Sequence, residues 1–262
     1  MKTSAAFVGL RSKLYTEALE EYPDVRKEDI QFMYRYLNPQ AGNYILGFSE
    51  GNGYFCQAIA EAVGIHGDYL VTDPSQDQLD SLLKKSPPLQ VKVRRMAVEE
   101  LEVTPNLFDK VWSFGGFHHC LDQTEAMKRI YKALKPGGQA VIADVFQGSL
   151  LAKHFDMQVA RYCETGHEVK FLSEEFARTI CYLAGFQDEK VEIVDLPQVW
   201  YFNKEHDIGK FIYKFHAMTN LMGTESEKIK QVFEGCKEIL GIKYRQGMYE
   251  LNWPMKALIA TK

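Results

Sequence analysis

The chain has 262 residues and 46% hydrophobic content, enough apolar surface for a packed core in one large domain or one domain with a cap. Its net charge of −4 carries no electrostatic footprint for nucleic acid, and basic clusters such as Lys92-Val93-Arg94-Arg95 are short enough to be one solvated strand end. No run of ~20 apolar residues offers a membrane span, and five cysteines, an odd number without a Cys-x-x-Cys pair, read as reduced thiols of a cytoplasmic protein.

Along the chain, an apolar stretch over 5–10 is cut off by Arg11 and is too short and poorly flanked for a signal peptide. Helical signals cover 14–36 around one break at Pro23, with Asp24 as the expected N-cap of the second segment. The apolar run 44–48 reads as a first strand, followed by a glycine-rich turn and a helix over 54–63. Ile65-His66-Gly67-Asp68 turns into a second strand, Tyr69-Leu70-Val71-Thr72, which ends at Asp73. Ser75 is the expected cap of a helix through Lys85, ended by Pro87-Pro88. Strands follow over 91–96 and 110–114, then a helix over 124–134 and a fifth strand over 139–144. This alternation predicts an α/β fold, a mostly parallel sheet with helices on both faces and right-handed crossovers.

After the fifth strand the pattern changes. The segment 150–164 reads as an added helix, Ser173 starts another that stops at Gly185, and 191–200 and 254–261 suit the sixth and seventh strands. Between those strands lie about fifty residues with two helical candidates, 206–218 and 224–239, and many aromatics, including Trp200, Tyr201, Phe211 and Phe215. Such an insertion predicts a cap over the strand ends that excludes water from a small organic ligand.

The run Ile45-Leu46-Gly47-Phe48-Ser49-Glu50-Gly51-Asn52-Gly53 is the most informative stretch. Strand, tight turn and helix start together form a place where backbone N–H groups meet a ligand, and glycine allows close approach. Asp73 stands 22 residues after Gly51, near the roughly 20 expected between a glycine turn and a ribose-binding acid. A nucleoside-containing ligand follows. The dinucleotide pattern G-x-G-x-x-G fails at Cys56, and no Gly-Lys-Ser/Thr follows the turn, so pyrophosphate chemistry is not indicated.

At this point the chain resembles the class I S-adenosylmethionine-dependent methyltransferases. Aligned on that family's first motif, acid-x-Gly-x-Gly-x-Gly, it reads Gly47-x-Ser49-x-Gly51-x-Gly53. The ribose acid matches as Asp73 in Val71-Thr72-Asp73-Pro74-Ser75, and a fourth-strand motif matches as Phe108-Asp109-Lys110-Val111-Trp112-Ser113-Phe114 followed by Phe117-His118-His119. The block Leu134-Lys135-Pro136-Gly137-Gly138 through Asp144 is the most family-specific; the likeness covers about 15–186 plus the final strand.

The resemblance implies a Rossmann-like methyltransferase fold with a seven-stranded sheet, and S-adenosyl-L-methionine as cofactor. It places Gly47, Ser49, Gly51 and Gly53 along the methionine half and ribose, Asp73 and Pro74 at the ribose, Val98 and Glu99 at the adenine, and Ser113 and Phe114 at the end of the fourth strand. Two positions depart from the family. Gly47 replaces the acid that helps hold the methionine amino group, and Ala97 replaces an Asp that binds the adenine amino group. Glu50 or Glu99 is the expected replacement carboxylate, with adenine held by the Val98 backbone N–H and apolar packing. By domains, 1–42 forms N-terminal helices covering the cofactor site, 43–200 with 254–262 the core (including a helical insert at about 150–172), and 201–253 a helical cap.

Methyl transfer from a sulfonium is an in-line displacement, so the protein mainly aligns the partners, with a base needed where the acceptor must lose a proton. His118 and His119, beside the expected methyl position, are the catalytic candidates. Asp156 and Tyr162 in the added helix are candidates for substrate contact, His154 reads equally as contact or surface, and Tyr15, Tyr22 and Arg26 are candidate N-terminal contacts to the cofactor. Cys163 and His167, four apart, would share a helical face, but two ligands alone do not make a metal site and no metal is expected. The resulting reading is methyl transfer to O, N or C of a small molecule, with no nucleic-acid or membrane partner. A methyltransferase-like protein that binds a nucleoside or uses the sulfonium without methyl transfer (sensor, scaffold or cyclase) stays open beside it, as does a macromolecule methyltransferase with a basic groove. Gly47-x-Ser49-x-Gly51 also fits the hydrolase elbow Gly-x-Ser-x-Gly, but a hydrolase leaves Asp73 and the Leu134–Gly138 block unexplained.

Overall fold

The computed structural model describes residues 6–102 and 104–262. One sheet of eight strands organises the chain: β1 (Tyr44–Phe48), β2 (Asp68–Asp73), β3 (Val91–Arg95), β4 (Phe108–Phe114), β5 (Leu134–Asp144), β6 (Val191–Phe202), β7 (Ile242–Arg245) and β8 (Met248–Thr261). Their order is β3-β2-β1-β4-β5-β8-β6, with β7 on β8. The first five run parallel, and β8 is antiparallel to β5 and β6. Order reverses between β1 and β4, which opens the crevice that such sheets use for ligands. The eighth strand was not expected. β7 forms a two-residue hairpin with β8 through Gln246 and Gly247, whose φ of 52° and 83° mark a turn of the I′ class.

Helices α1 (Gly9–Glu21), α2 (Lys27–Phe32), α3 (Cys56–Val63), α4 (Gln76–Lys84), α5 (Gln123–Ala133), α6 (Leu150–His154), α7 (Ala160–Tyr162), α8 (Glu174–Ala184), α9 (Glu205–Phe215) and α10 (Glu225–Ile239) surround it. Alternation along the strands divides the core. Val111 packs with Leu46, Ile142, α5 and α8 on one face, and Trp112 with Ile45, Val141, α3 and the cap on the other. Ser75 caps α4 by accepting the Gln78 N–H, as expected. Asp24 does not cap α2, whose N-cap is Arg26 without a side-chain cap bond. The added helix is interrupted by a π turn, Phe155–Val159, and ends at Tyr162, so Cys163 and His167 lie in a loop and share no helical face.

The cap is not wholly helical. β6 and β8 pair from Val191↔Ala260 to Phe202↔Tyr249, whereas β5 reaches only Asp144↔Lys256. The outer part of the β6–β8 pair therefore projects past the sheet as a wall, with Trp200 stacked on Trp253 at 4.0 Å and 17°. Helices α9 and α10 back this wall. Lys214 joins α9 to Glu17 and Glu21 of α1, and Lys210 pairs with Glu21 at 2.8 Å.

Close approach of α9 and α10 depends on Gly209, where an added Cβ would lie 2.4 Å from the Ile229 carbonyl oxygen and 3.0 Å from Phe233 Cβ. Gly→Ala within a helix ordinarily stabilises by about 0.5–1 kcal/mol. Here overpacking against backbone reverses the sign, and Gly209→Ala is expected to cost about 1–3 kcal/mol in denaturant unfolding; a gain in stability would contradict this packing.

Candidate active site at the carboxyl ends of the strands

A cavity opens over the ends of β1, β2, β4 and β5. It runs from Ser49, Gly51 and Asp73 at one end to His118, His119 and His167 at the other. Its first end is the glycine turn. Ser49 and Gly51 take φ of 51° and 58°, and Gly51 donates its N–H to Asp73 Oδ2 at 3.0 Å. Ser75 donates its N–H to Oδ1 at 2.8 Å. The turn N–H thus orients the acid, and each carboxylate oxygen keeps a lone pair for a ligand. Burial pushes the Asp73 carboxyl up to about 6, against these two hydrogen bonds.

Gly47 lies outside the cavity wall, in a slot already filled. A Cβ there would meet Tyr69 Oη at 2.3 Å and Glu50 Cγ at 2.9 Å. The acid usual at this position has no room, and the Glu50 side chain occupies its surroundings. Both Glu50 carboxyl oxygens are buried without a hydrogen-bond partner among the described residues, and burial pushes this group up to about 8. Nearby, Arg26 lines the cavity, its Nε 2.5 Å from Asp29 Oδ2 and its Nη1 donating to Tyr15 Oη at 3.4 Å. Tyr54, Phe114 and Phe215 hold ring centroids 4.7, 5.5 and 5.4 Å from the guanidinium. Burial opposes this charge, but Asp29 keeps it protonated.

The far end is a corner of imidazoles. His118 lies on the short helical turn Phe117–His119 after β4, and His167 on the loop after α7. Ring centroids stand 4.2 Å apart for His118 and His119, 5.4 Å for His118 and His167, and 5.2 Å for His119 and His167. Asp144, at the end of β5, fixes His118 twice, accepting its backbone N–H at 3.0 Å and lying 2.6 Å from Nδ1. The remaining His118 Nε2 is buried with no hydrogen-bond partner among the described residues. Burial and the neighbouring charges of His118 and Arg11 hold His119 well below the ordinary imidazole range and His167 at about 2, so both rings are neutral. Arg11, 2% exposed, closes this end and donates from Nη1 to Thr165 Oγ1 at 2.8 Å.

Of the residues singled out in the sequence, Ser49, Gly51, Asp73, Pro74, Val98, Glu99, Phe114, His118 and His119 all line this cavity, as do Tyr15 and Arg26. Gly47, Gly53 and Ser113 sit behind it, with Gly53 pressed against Leu82 and Ser113 fully buried. Of the two proposed replacement carboxylates, Glu99 lines the cavity but its Oε1 already accepts the Leu121 N–H at 2.6 Å, whereas Glu50 sits buried behind the lining. Asp156 is exposed and Tyr162 lies off the cavity, while His154 is completely buried rather than on the surface. Arg11, Asp144 and His216 were missed. Asp144 alone had a signal, as the carboxyl-terminal residue of a strand whose neighbours carry the site.

Residues 46–142 match the family model described as a methyltransferase domain. An uncharacterized methyltransferase of Bacillus subtilis is 31% identical over 115 residues, which is 43% of this chain and 61% of that protein. A ubiquinone/menaquinone biosynthesis C-methyltransferase of Hydrogenovibrio crunogenus is 29% identical over 44% of this chain and 48% of its own length. The chain thus spans about half the length of the curated relatives it matches. Among solved structures, phosphoethanolamine N-methyltransferase 2 of Haemonchus contortus, bound to S-adenosyl-L-methionine, superposes with a TM-score of 0.67 at 17% identity, covering 96% of this chain and 56% of that one. Strand order, glycine turn and domain match agree: residues 46–142 match a methyltransferase domain, and the chain has the fold of the Rossmann-like methyltransferases.

Proposed function

We propose that this protein transfers a methyl group from S-adenosylmethionine to a small organic acceptor, and that both bind in the one cavity. The observation that carries this reading is the cavity itself, which runs from a preorganised buried acid, Asp73, to the imidazole corner. The chain's own residues fit the cofactor at each polar point. Asp73 retains lone pairs for the ribose hydroxyls. Glu50, buried beside Tyr69 just behind the cavity lining, is the carboxyl offered to the methionine ammonium, and the cavity-lining Arg26 matches its carboxylate. Ala97 and Val98 leave an apolar seat for adenine. Bound there, the cofactor supplies an activated methyl on a sulfonium.

The protein supplies alignment and exclusion of water. Phe155, Trp200, Phe215 and Trp253 line the acceptor half, which favours an organic acceptor over a polymer end. His118 is the proton acceptor. Its Nδ1 is held by Asp144, which leaves Nε2 to take the acceptor's proton as the methyl bond forms.

Two outcomes test the cofactor half. Asp73→Ala is expected to weaken S-adenosylmethionine binding at least tenfold in calorimetric titration while unfolding at a similar temperature; unchanged affinity would remove Asp73 from the site. Glu50 tests the replacement acid through pH. Its folded value of about 8 lies above the ordinary 4.5, so the folded state binds the proton more tightly than the unfolded chain. The Glu50 contribution to the stability of the ligand-free protein is therefore expected to fall as pH rises from about 4.5 to 8, against the rising contribution of the depressed imidazoles of His119, His154, His167 and His216, and it is read as the difference between wild type and Glu50→Gln. Glu50→Gln should flatten that fall and weaken cofactor binding; the same pH slope in both proteins would contradict the assignment.

A further inference from the structure

We propose that His118, His119 and His167 form a binding site for one divalent transition-metal ion, zinc by preference, which holds an anionic methyl acceptor against Arg11. The ligand nitrogens of these three side chains lie within 4.8 Å of one another. Nitrogens around one tetrahedral zinc stand about 3.3 Å apart, given Zn–N bonds of about 2.0–2.1 Å. Binding therefore requires His119, partly exposed, and His167, on its loop, to bring their nitrogens closer by up to about 1.5 Å.

Three further observations point the same way. The Asp144 carboxylate on His118 Nδ1, at 2.6 Å, leaves Nε2 as the free donor, and a carboxylate behind a ligating imidazole is the usual second support of a metal site. That Nε2 is buried and unpartnered among the described residues, a state an ion would relieve. The His167 loop is also built to hold its place. Arg11 donates to Thr165 Oγ1 at 2.8 Å and to the Gly166 carbonyl at 3.3 Å, Glu164 donates its N–H to the Ala217 carbonyl at 2.9 Å, and Gln123 Nε2 donates to the Lys170 carbonyl at 2.7 Å. Rings from two separate segments are thus brought to one point by polar contacts.

The donor set selects the ion. Three imidazoles without thiolate suit zinc, nickel, copper or iron, and not magnesium or calcium, which take oxygen ligands. Three protein ligands leave a fourth position, the arrangement of a catalytic rather than a structural site, and here it faces the acceptor half of the cavity. Charge decides what occupies that position. With Asp144 as the local carboxylate, a dication beside the Arg11 guanidinium leaves net positive charge, which an anionic oxygen or sulfur on the acceptor offsets. Coordination makes the acceptor lose its proton to solvent before the methyl bond forms, so the metal takes the place of His118 as base. This role rests on the methyltransferase reading above; the metal site does not.

The test uses tag-free, chelator-treated protein titrated with Co²⁺ and, in competition, Zn²⁺. One equivalent of Co²⁺ with visible d–d absorption is expected, displaced by Zn²⁺. His167→Gln, on the loop, should weaken Co²⁺ binding at least tenfold with unfolding temperature and S-adenosylhomocysteine affinity unchanged, and His119→Gln should weaken Co²⁺ binding likewise. Substoichiometric cobalt without d–d bands, or equal affinity in wild type and both variants, would overturn the site. Metal binding that follows His119 and His167 in a protein that does not bind S-adenosylhomocysteine would keep the site and refute the methyltransferase reading.

Discussion

The buried pair of Arg26 and Asp29 is the interaction on which the architecture around the cavity depends. Asp29 is completely buried, and its Oδ1 accepts from Gln198 Nε2 at 2.6 Å and from the Trp200 indole at 3.3 Å, while Oδ2 meets Arg26. One carboxylate therefore joins the N-terminal helices to the projecting β6–β8 pair and holds the guanidinium at the cavity wall. Burying two charges costs several kcal/mol each, and only fully satisfied geometry offsets it. Loss of either partner strands the other in a low-dielectric box of aromatic rings, a penalty of about 3–5 kcal/mol. The same pair that shapes the cofactor end thus anchors the wall formed by Trp200 and Trp253.

The glycine turn shows how a motif can change letters and keep its physics. An acid at position 47 has no space, because Tyr69 and the Glu50 methylene already stand where its Cβ would be. Glu50 brings a carboxyl to the same neighbourhood from three residues further along. Its burial leaves it protonated near neutrality in the free protein, whereas a cationic partner favours the charged form. Asp73 differs. Two backbone N–H groups hold it, which makes it rigid before any ligand arrives.

Much of the fold was legible because the core obeys local rules. Apolar runs, glycine turns and Ser75 and Ser173 caps marked the strands and helices through Phe186, and the strand ends brought Asp73, Val98, Phe114 and the His118-His119 pair together as expected. Legibility failed where placement depends on distant partners. Gln246-Gly247 is a weaker hairpin signal than Asn-Gly, so β7 and the outward extension of β8 were hidden in a segment that reads as helical. His167 drew attention beside Cys163, its sequence neighbour, whereas its spatial neighbours are His118 and His119 from a turn after β4. His154 and His216, both buried, meet only through folding of the cap, at 6.2 Å between rings. No spacing in one chain announces such encounters.

The central claim is that cofactor and acceptor share one cavity, with the reacting sulfur facing the imidazole corner. A crystal structure of the complex with S-adenosylhomocysteine tests this most directly. The account predicts the ribose hydroxyls on Asp73, the adenine beside Val98 and the thioether sulfur directed toward His118 and His119. A ligand bound with its adenine in the histidine corner, or outside the cavity, would contradict it.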